Sequence, residues 1–260
     1  MTLGRDYSSI SPSARSLLLV KAQTDLPFAR QAAELIFGAD AVAQAASLDR
    51  AATARRAHFE LRARSLDEAL RAESATNILE IAAGLSLRGL AMASQENLAY
   101  VDSDLPELTS IKAELVAQLH PGPLVGTLHV QPLDALDPEA FRRTVRAMPR
   151  RPMAVVHEGL LMYLGEEEKA RLATSVREAL LERGGAWITA DVYVRSETHL
   201  PRDEKTQTFL AEHRVDENKF ADWHAAEAFF MSNGFLIERR LAPRGDSWPV
   251  RETWTLRARN

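Results

Sequence analysis

The run Asn77-Ile78-Leu79-Glu80-Ile81-Ala82-Ala83-Gly84-Leu85-Ser86-Leu87-Arg88-Gly89 restricts the fold more than any other stretch of this chain. An apolar strand runs into a turn of small residues, and a short helical segment follows. Small residues at such a turn let backbone N–H groups approach a ligand where the helix begins. A second signal, Tyr100-Val101-Asp102-Ser103-Asp104-Leu105-Pro106, puts acids at the end of the next strand. Asp102 follows Gly84 by 18 residues, close to the ~20 residues between the glycine turn and a ribose-binding acid in nucleotide-binding α/β sheets.

The chain changes character at Asn77. Residues 5–75 read as alanine-rich helix with no convincing strand. Ser11-Pro12 is a helix start, Pro27 interrupts or starts a further helix, and 51–71 is a charged helix with Phe59, Leu66 and Leu70 on one side. Beyond Asn77, strands are expected at Ile78–Ala82, Ala99–Asp102, Gly126–Val130, Met153–His157 and Trp187–Val192. Helices are expected between them at Pro106–Leu119, Pro138–Ala147 and Glu166–Glu182. This alternation predicts an α/β fold with a mostly parallel sheet covered on both faces. A helix at His224–Ser232 precedes two late strands, Phe235–Leu241 and Thr253–Ala258. With no helix between them, they predict an antiparallel closing hairpin. Seven strands result. The expected division is a helical N-terminal extension over 1–75 and a single sheet-bearing unit over 76–260. Residues 195–222 are polar and read as either a mobile lid or a solvated helix.

The 260 residues suffice for one large core. With 46% hydrophobic and 26% charged residues, the chain reads as soluble and globular. A net charge of −4 gives no electrostatic case for nucleic acid as the main partner. The arginines at 142, 143, 146, 150 and 151 read as a solvated helix face. The absence of cysteine excludes disulfides, thiolate metal sites and a cysteine nucleophile. No secretory leader is read at the N-terminus, and no apolar run reaches bilayer length. A cytoplasmic protein that does not engage a membrane is expected.

Four segments carry a resemblance to a known family. They are Arg62-Ala63-Arg64-Ser65-Leu66-Asp67, the Glu80–Arg88 turn, Asp102-Ser103-Asp104-Leu105-Pro106 with Lys112, and Glu158-Gly159-Leu160-Leu161-Met162-Tyr163-Leu164. The last is the most specific. From about Ser11 to Phe235 the chain resembles class I S-adenosylmethionine-dependent methyltransferases of the leucine carboxyl methyltransferase group. That group includes bacterial O-methyltransferases linked to polyketide biosynthesis. The resemblance implies a Rossmann-like fold, S-adenosylmethionine as cofactor, S-adenosylhomocysteine (SAH) as product, and no metal. Two departures stand out: the family commonly has glycine where Ala82 stands and aspartate where Ser86 stands.

The resemblance also distributes roles. Arg62 aligns with the arginine that pairs with the cofactor carboxylate, Arg64 and Lys21 being alternatives in the same region. Glu80 steadies the turn or reaches the methionine end of the cofactor. Ala82, Ala83 and Gly84 face the cofactor through their backbone. Asp102 accepts hydrogen bonds from the ribose hydroxyls, whereas Asp104 reads as a helix N-cap. Asp134 accepts from the adenine amino group and Ala135 offers its N–H, while Asp137 before Pro138 reads as a helix cap. Glu158 contacts the cofactor amine or shapes the transfer site. His157 is either a base or a buried strand histidine, the second being favoured. Tyr163 lines the pocket or braces the Glu158 loop. Tyr193, His199 and His213 are further candidates for contact with the acceptor. Glu158, His157 and Tyr193 are thus the catalytic candidates, and Tyr163 and His199 the substrate ones.

The activity implied is O-methylation of a small-molecule hydroxyl or carboxylate. The alternatives are a catalytically silent S-adenosylmethionine-binding protein and a nicotinamide-dependent oxidoreductase. The latter wants a G-x-G-x-x-G turn, which Gly84-Leu85-Ser86-Leu87-Arg88-Gly89 does not supply.

Overall fold

The computed structural model describes residues 11–46, 50–195, 204–242 and 252–260. Among the described residues four helices come first: α1 (Ser11–Lys21), α2 (Ala29–Phe37), α3 (Ala39–Gln44) and α4 (Arg50–Ala72). The sheet then begins with β1 (Asn77–Glu80), α5 (Arg88–Met92), β2 (Ala99–Asp104), α6 (Pro106–Leu119), β3 (Thr127–Pro132) and α7 (Pro138–Ala147). It continues through β4 (Met153–His157), a short 3-10 turn at Leu161–Tyr163, α8 (Glu166–Arg183) and β5 (Gly185–Thr189). The chain closes with α9 (Glu204–Glu212), α10 (Val215–Asn218), α11 (Trp223–Ser232), β6 (Phe235–Leu241) and β7 (Thr253–Ala258).

The seven strands lie in the order β3-β2-β1-β4-β5-β7-β6. β1 to β5 run parallel, and β7 pairs antiparallel with both β5 and β6. This is the sheet expected from the sequence, with the late hairpin inserted so that β7 lies inside and β6 at the edge. The order reverses between β1 and β4, which opens a crevice at their carboxyl ends, where open α/β sheets bind ligands.

Strand alternation explains the layers. Leu79, Val101, Val155, Trp187 and Trp254 join Phe141, Leu172, Val176 and Phe230 from α7, α8 and α11 on one face. Their neighbours Ile78, Tyr100, Ala154, Val156 and Ile188 join Leu66 and Leu70 of α4 and Met92 of α5 on the other. A third cluster ties α1, α2 and α3 to α5 and α6 through Leu18, Ala32, Ala33, Val42, Leu90 and Leu108. The helices before Asn77 therefore pack on the sheet unit. Among the described residues no helix is long and apolar enough to cross a membrane.

Strand ends differ from the sequence reading where side chains or backbone interrupt the ladder. β1 stops at Glu80 rather than Ala82, because Ala82 takes a left-handed φ of 49°. β5 occupies Gly185–Thr189 rather than Trp187–Val192. The Asp191 N–H turns back to Thr189 Oγ1 at 3.0 Å and leaves the ladder. β2 extends two residues further, to Asp104, and β3 reaches Pro132. Residues 204–218 of the polar stretch are helical.

Ala82 occupies a conformation that costs an L-residue about 1–2 kcal/mol, part of which glycine gives back as lost chain entropy. Ala82→Gly is therefore expected to raise the unfolding free energy by about 1 kcal/mol. A urea midpoint equal to or below that of the parent would contradict the strain argument.

Candidate functional site

The carboxyl ends of β1 and β4 converge on a buried cluster of charge. Glu158, directly after β4, has a side chain only 4% exposed. Its Oε1 accepts from Lys21 Nζ at 2.8 Å and from Arg62 Nε and Nη2 at 3.1 and 2.9 Å. Its Oε2 accepts from Arg88 Nη2 at 3.1 Å. One carboxylate thus gathers a cation from α1, one from α4 and one from α5. Arg88 also donates to Asp67 on α4 at 2.5 Å and to Glu80, whose other oxygen accepts from Tyr100 at 2.6 Å. Arg62 Nη1 donates to the Tyr193 hydroxyl at 2.5 Å.

Charge states follow from these partners. Burial alone would lift the Glu158 carboxyl, but Lys21, Arg62 and Arg88 hold it well below the usual carboxylate range. Burial pulls Lys21 below its ordinary value, Glu158 resisting and the two arginines adding to the fall. Burial also disfavours the Arg62 charge, but Tyr193 and Glu158 more than offset this and raise it.

The small-residue turn lies beside this cluster, with Ala82 and Gly84 half-buried. Gly84 N–H donates to Asp104 Oδ2 at 2.7 Å, and Leu105 N–H to Oδ1 at the same distance. Asp104 is therefore not the N-cap of α6, since Leu105 holds that position. It instead clasps the turn from the end of β2. A Cβ at Gly84 would lie 3.6 Å from Ala14 Cβ, so α1 passes over the turn.

Asp102 is placed differently from the ribose role the sequence suggests. It is 0% exposed, its Oδ2 lies 2.9 Å from Lys112 Nζ, and α5 covers it at Gly89. The reason is depth along the strand: Asp102, in register with Glu80, lies two residues inside the end of β2 and beneath α5, while Asp104, on the same face, stands at the strand end. Burial raises the Asp102 carboxyl to about 7, Lys112 working against the rise and Glu80 adding to it. The folded value exceeds the unfolded one, so its contribution is fully present below about 3.8 and is lost as pH rises through about 7. A carbon-13 titration of the aspartate carboxyls is expected to show one midpoint near 7, absent from Asp102→Asn. A full set titrating below 5 would refute this.

The remaining candidates separate clearly. Arg62 points into the cluster, whereas Arg64 is exposed and pairs with Glu60 one turn away. Lys21 belongs to the cluster. Glu80 is 0% exposed and holds Arg88 and Tyr100, so it ties the start of α5 to β2 and does not reach an open surface. Asp137 caps α7 by accepting from Glu139 and Ala140. Asp134 is exposed just beyond β3 and accepts from Leu136 N–H at 2.9 Å, beside half-buried Ala135. His157 is a fully buried strand histidine whose Nδ1 lies 2.8 Å from Asp191 Oδ2, with Nε2 enclosed. The base reading therefore has no route to an acceptor. Tyr163 is half-buried and meets the rings of Phe209 and His213 edge-on at 6.4 and 6.1 Å. His199 lies outside the described residues.

Asp191 is the group that the sequence reading passed over. Its oxygens accept from Gly159 N–H and Leu160 N–H, both at 2.6 Å, and from Leu161 N–H at 3.3 Å. The available signal was an acid directly after an apolar strand, next to Tyr193.

The fold has solved counterparts. A DUF574 family protein from Streptomyces avermitilis superposes with a TM-score of 0.58 at 14% identity, over 95% of this chain and 97% of that one. Magnesium protoporphyrin IX methyltransferase from Synechocystis, solved with bound SAH, gives 0.51 at 10% identity over 83% and 90%. LepI, in a complex with SAM, gives 0.50 at 13% identity over 75% of this chain. The match spans 46% of LepI, less than half its length. Among curated protein sequences none matches the chain. The sequence of residues 12–177 fits the family described as leucine carboxyl methyltransferase. That stretch is more than half of the chain and holds Lys21, Arg62, the Gly84 turn and Glu158, so the protein belongs to the leucine carboxyl methyltransferase family.

Proposed function

We propose that the protein transfers a methyl group from S-adenosylmethionine to an oxygen of a small molecule, either a hydroxyl or a carboxylate. One observation carries the reading: Lys21 and Arg62 converge on a single oxygen of Glu158 at the switch point of the sheet. An ammonium has three donors and a guanidinium five, so these two groups can serve a second carboxylate as well. The amino-acid tail of S-adenosylmethionine offers a carboxylate for Lys21 and Arg62 and an ammonium for Glu158, so the donor set fits the cofactor. Asp104, at the end of β2 and 8% exposed, replaces Asp102 as the acid proposed for the sugar. Asp134 and Ala135 remain the residues proposed for the adenine.

When bound, S-adenosylmethionine supplies an electrophilic sulfonium methyl. The contribution of the chain is orientation: holding the tail fixes the methyl in line with an acceptor oxygen, which alone supplies much of the rate. A carboxylate acceptor needs no base, and a hydroxyl benefits from one. Enclosure of His157 therefore favours an acceptor that is already ionised. Small molecules are the proposed partners; the net charge and the hydropathy of the chain argue against nucleic acid and membranes.

Calorimetry with SAH and with NAD, followed by transfer of a labelled methyl to a panel of phenols and carboxylates, tests the reading. SAH binding with labelled ester or ether product is expected. Binding without transfer across the panel would favour a silent binding protein, and binding of NAD alone would overturn the proposal.

A further inference from the structure

The short segment after β5 touches both members of the Arg62–Glu158 pair. Asp191 accepts the three successive backbone N–H groups of Gly159, Leu160 and Leu161, the turn on which Glu158 is carried. Within that turn Gly159 has a φ of 77°, and a Cβ there would sit 3.6 Å from Arg62 Nη2. Asp191 is itself fixed by His157 Nδ1 at 2.8 Å and through its own N–H by Thr189 Oγ1. It is 1% exposed. Two residues on, the Tyr193 hydroxyl accepts from Arg62 Nη1. The two residues are linked by the hydrogen bond from Tyr193 N–H to Asp191 C=O at 3.0 Å. Tyr193 C=O accepts in turn from Phe220 N–H at 2.9 Å, on the strand-like contact between Val194 and Phe220 beyond α10.

We propose that Asp191 and Tyr193 are positioning residues that set the two halves of the tail-binding pair, Asp191 orienting Glu158 through its turn and Tyr193 orienting the Arg62 guanidinium. Neither has to touch the ligand. A carboxylate that accepts several backbone N–H groups holds a turn in one conformation, and a bidentate pair keeps its strength only when both planes are aligned. Asp191 keeps the charge that this role requires: burial is the largest single effect and opposes it, but His157, Arg62 and the Leu160 N–H together lower its pKa. This inference rests on the proposed use of S-adenosylmethionine.

The experiment compares two ligands that share the adenosine sulfide and differ in the tail. Binding of SAH and of 5′-methylthioadenosine, which lacks the amino-acid end, is measured by calorimetry for the parent chain, Asp191→Asn and Tyr193→Phe. Loss of charge-assisted contacts is expected to weaken SAH roughly 10-fold to 100-fold in each variant. Affinity for 5′-methylthioadenosine is expected to stay at the parental level. A purely structural role would weaken both ligands together, and that result overturns the proposal, as does unchanged SAH affinity in both variants. Tyr193→Phe removes a single hydroxyl, so it decides the matter if Asp191→Asn does not fold. A parent chain that binds neither ligand would overturn the cofactor reading itself.

Discussion

Glu158→Ala is expected to lower the unfolding free energy by roughly 3–5 kcal/mol, the cost of stranding buried charge after one partner of an ion pair is removed. The size follows from the number of cations that one carboxylate serves. Lys21, Arg62 and Arg88 all lie within 3.1 Å of its oxygens, and their side chains are 9%, 4% and 4% exposed. Arg88 keeps Glu80 and Asp67, so the loss falls on Lys21 and Arg62. Lys21 has further to fall, because burial already disfavours its charge. The same group makes the fold sensitive to acid. The folded pKa of Glu158 lies below its ordinary 4.5, so its contribution is complete above that value and is lost as pH falls through the folded value. Urea titrations at pH 7 and at successive points below 4.5 should therefore show the gap between parent and variant narrowing as the pH drops. A gap below about 1 kcal/mol at pH 7 would mean that Glu158 is a solvated surface carboxylate, and the tail-binding reading would fall with it.

The sequence disclosed the framework because the framework depends on periodicity. Five strands alternating with helices have few packings open to them, and the two late strands with no helix between them had to pair antiparallel. Arg62 and Glu158, which the fold brings into contact, stand out in the sequence because each sits in a specific segment. Spacing singles out Asp102 where the fold puts Asp104 at the end of β2, because spacing cannot resolve a shift of two residues when the strand end is uncertain: the two share a face, and only the length of the strand decides which reaches the edge. The sequence left Lys21 among the alternatives and omitted Asp191 because both act across long separations. The contact between α1 and the β4 loop, and the clasp of that loop from the end of β5, are tertiary features without a local pattern. The Ala82 departure was legible as a substitution, but its cost needed the φ angle.

Gly185→Ala is expected to destabilise the fold by about 3 kcal/mol or more, beyond what overpacking a side-chain core costs, because the obstacle is backbone. α8 ends at Arg183, and Gly184 closes it by donating its N–H to Leu180 C=O at 2.8 Å. The chain must then enter β5 at once, beside the first residue of β4, and Gly185 does so with a φ of 108°. A Cβ there would lie 1.9 Å from the Met153 carbonyl oxygen and 2.7 Å from its nitrogen. Relief requires the two central strands to separate at their first pair, Met153 with Gly185, and β4 is the strand that ends in His157 and delivers Glu158. Gly184 is the control, since it also has a positive φ, of 74°, but a Cβ there meets only the Pro152 ring at 3.9 Å. With a ψ of 175° Gly184 is in an extended positive-φ region, so Gly184→Ala should cost only the backbone strain of about 1–3 kcal/mol. Equal urea midpoints for the two variants would show that backbone conformation alone, and not the approach to Met153, makes glycine necessary where α8 turns into β5.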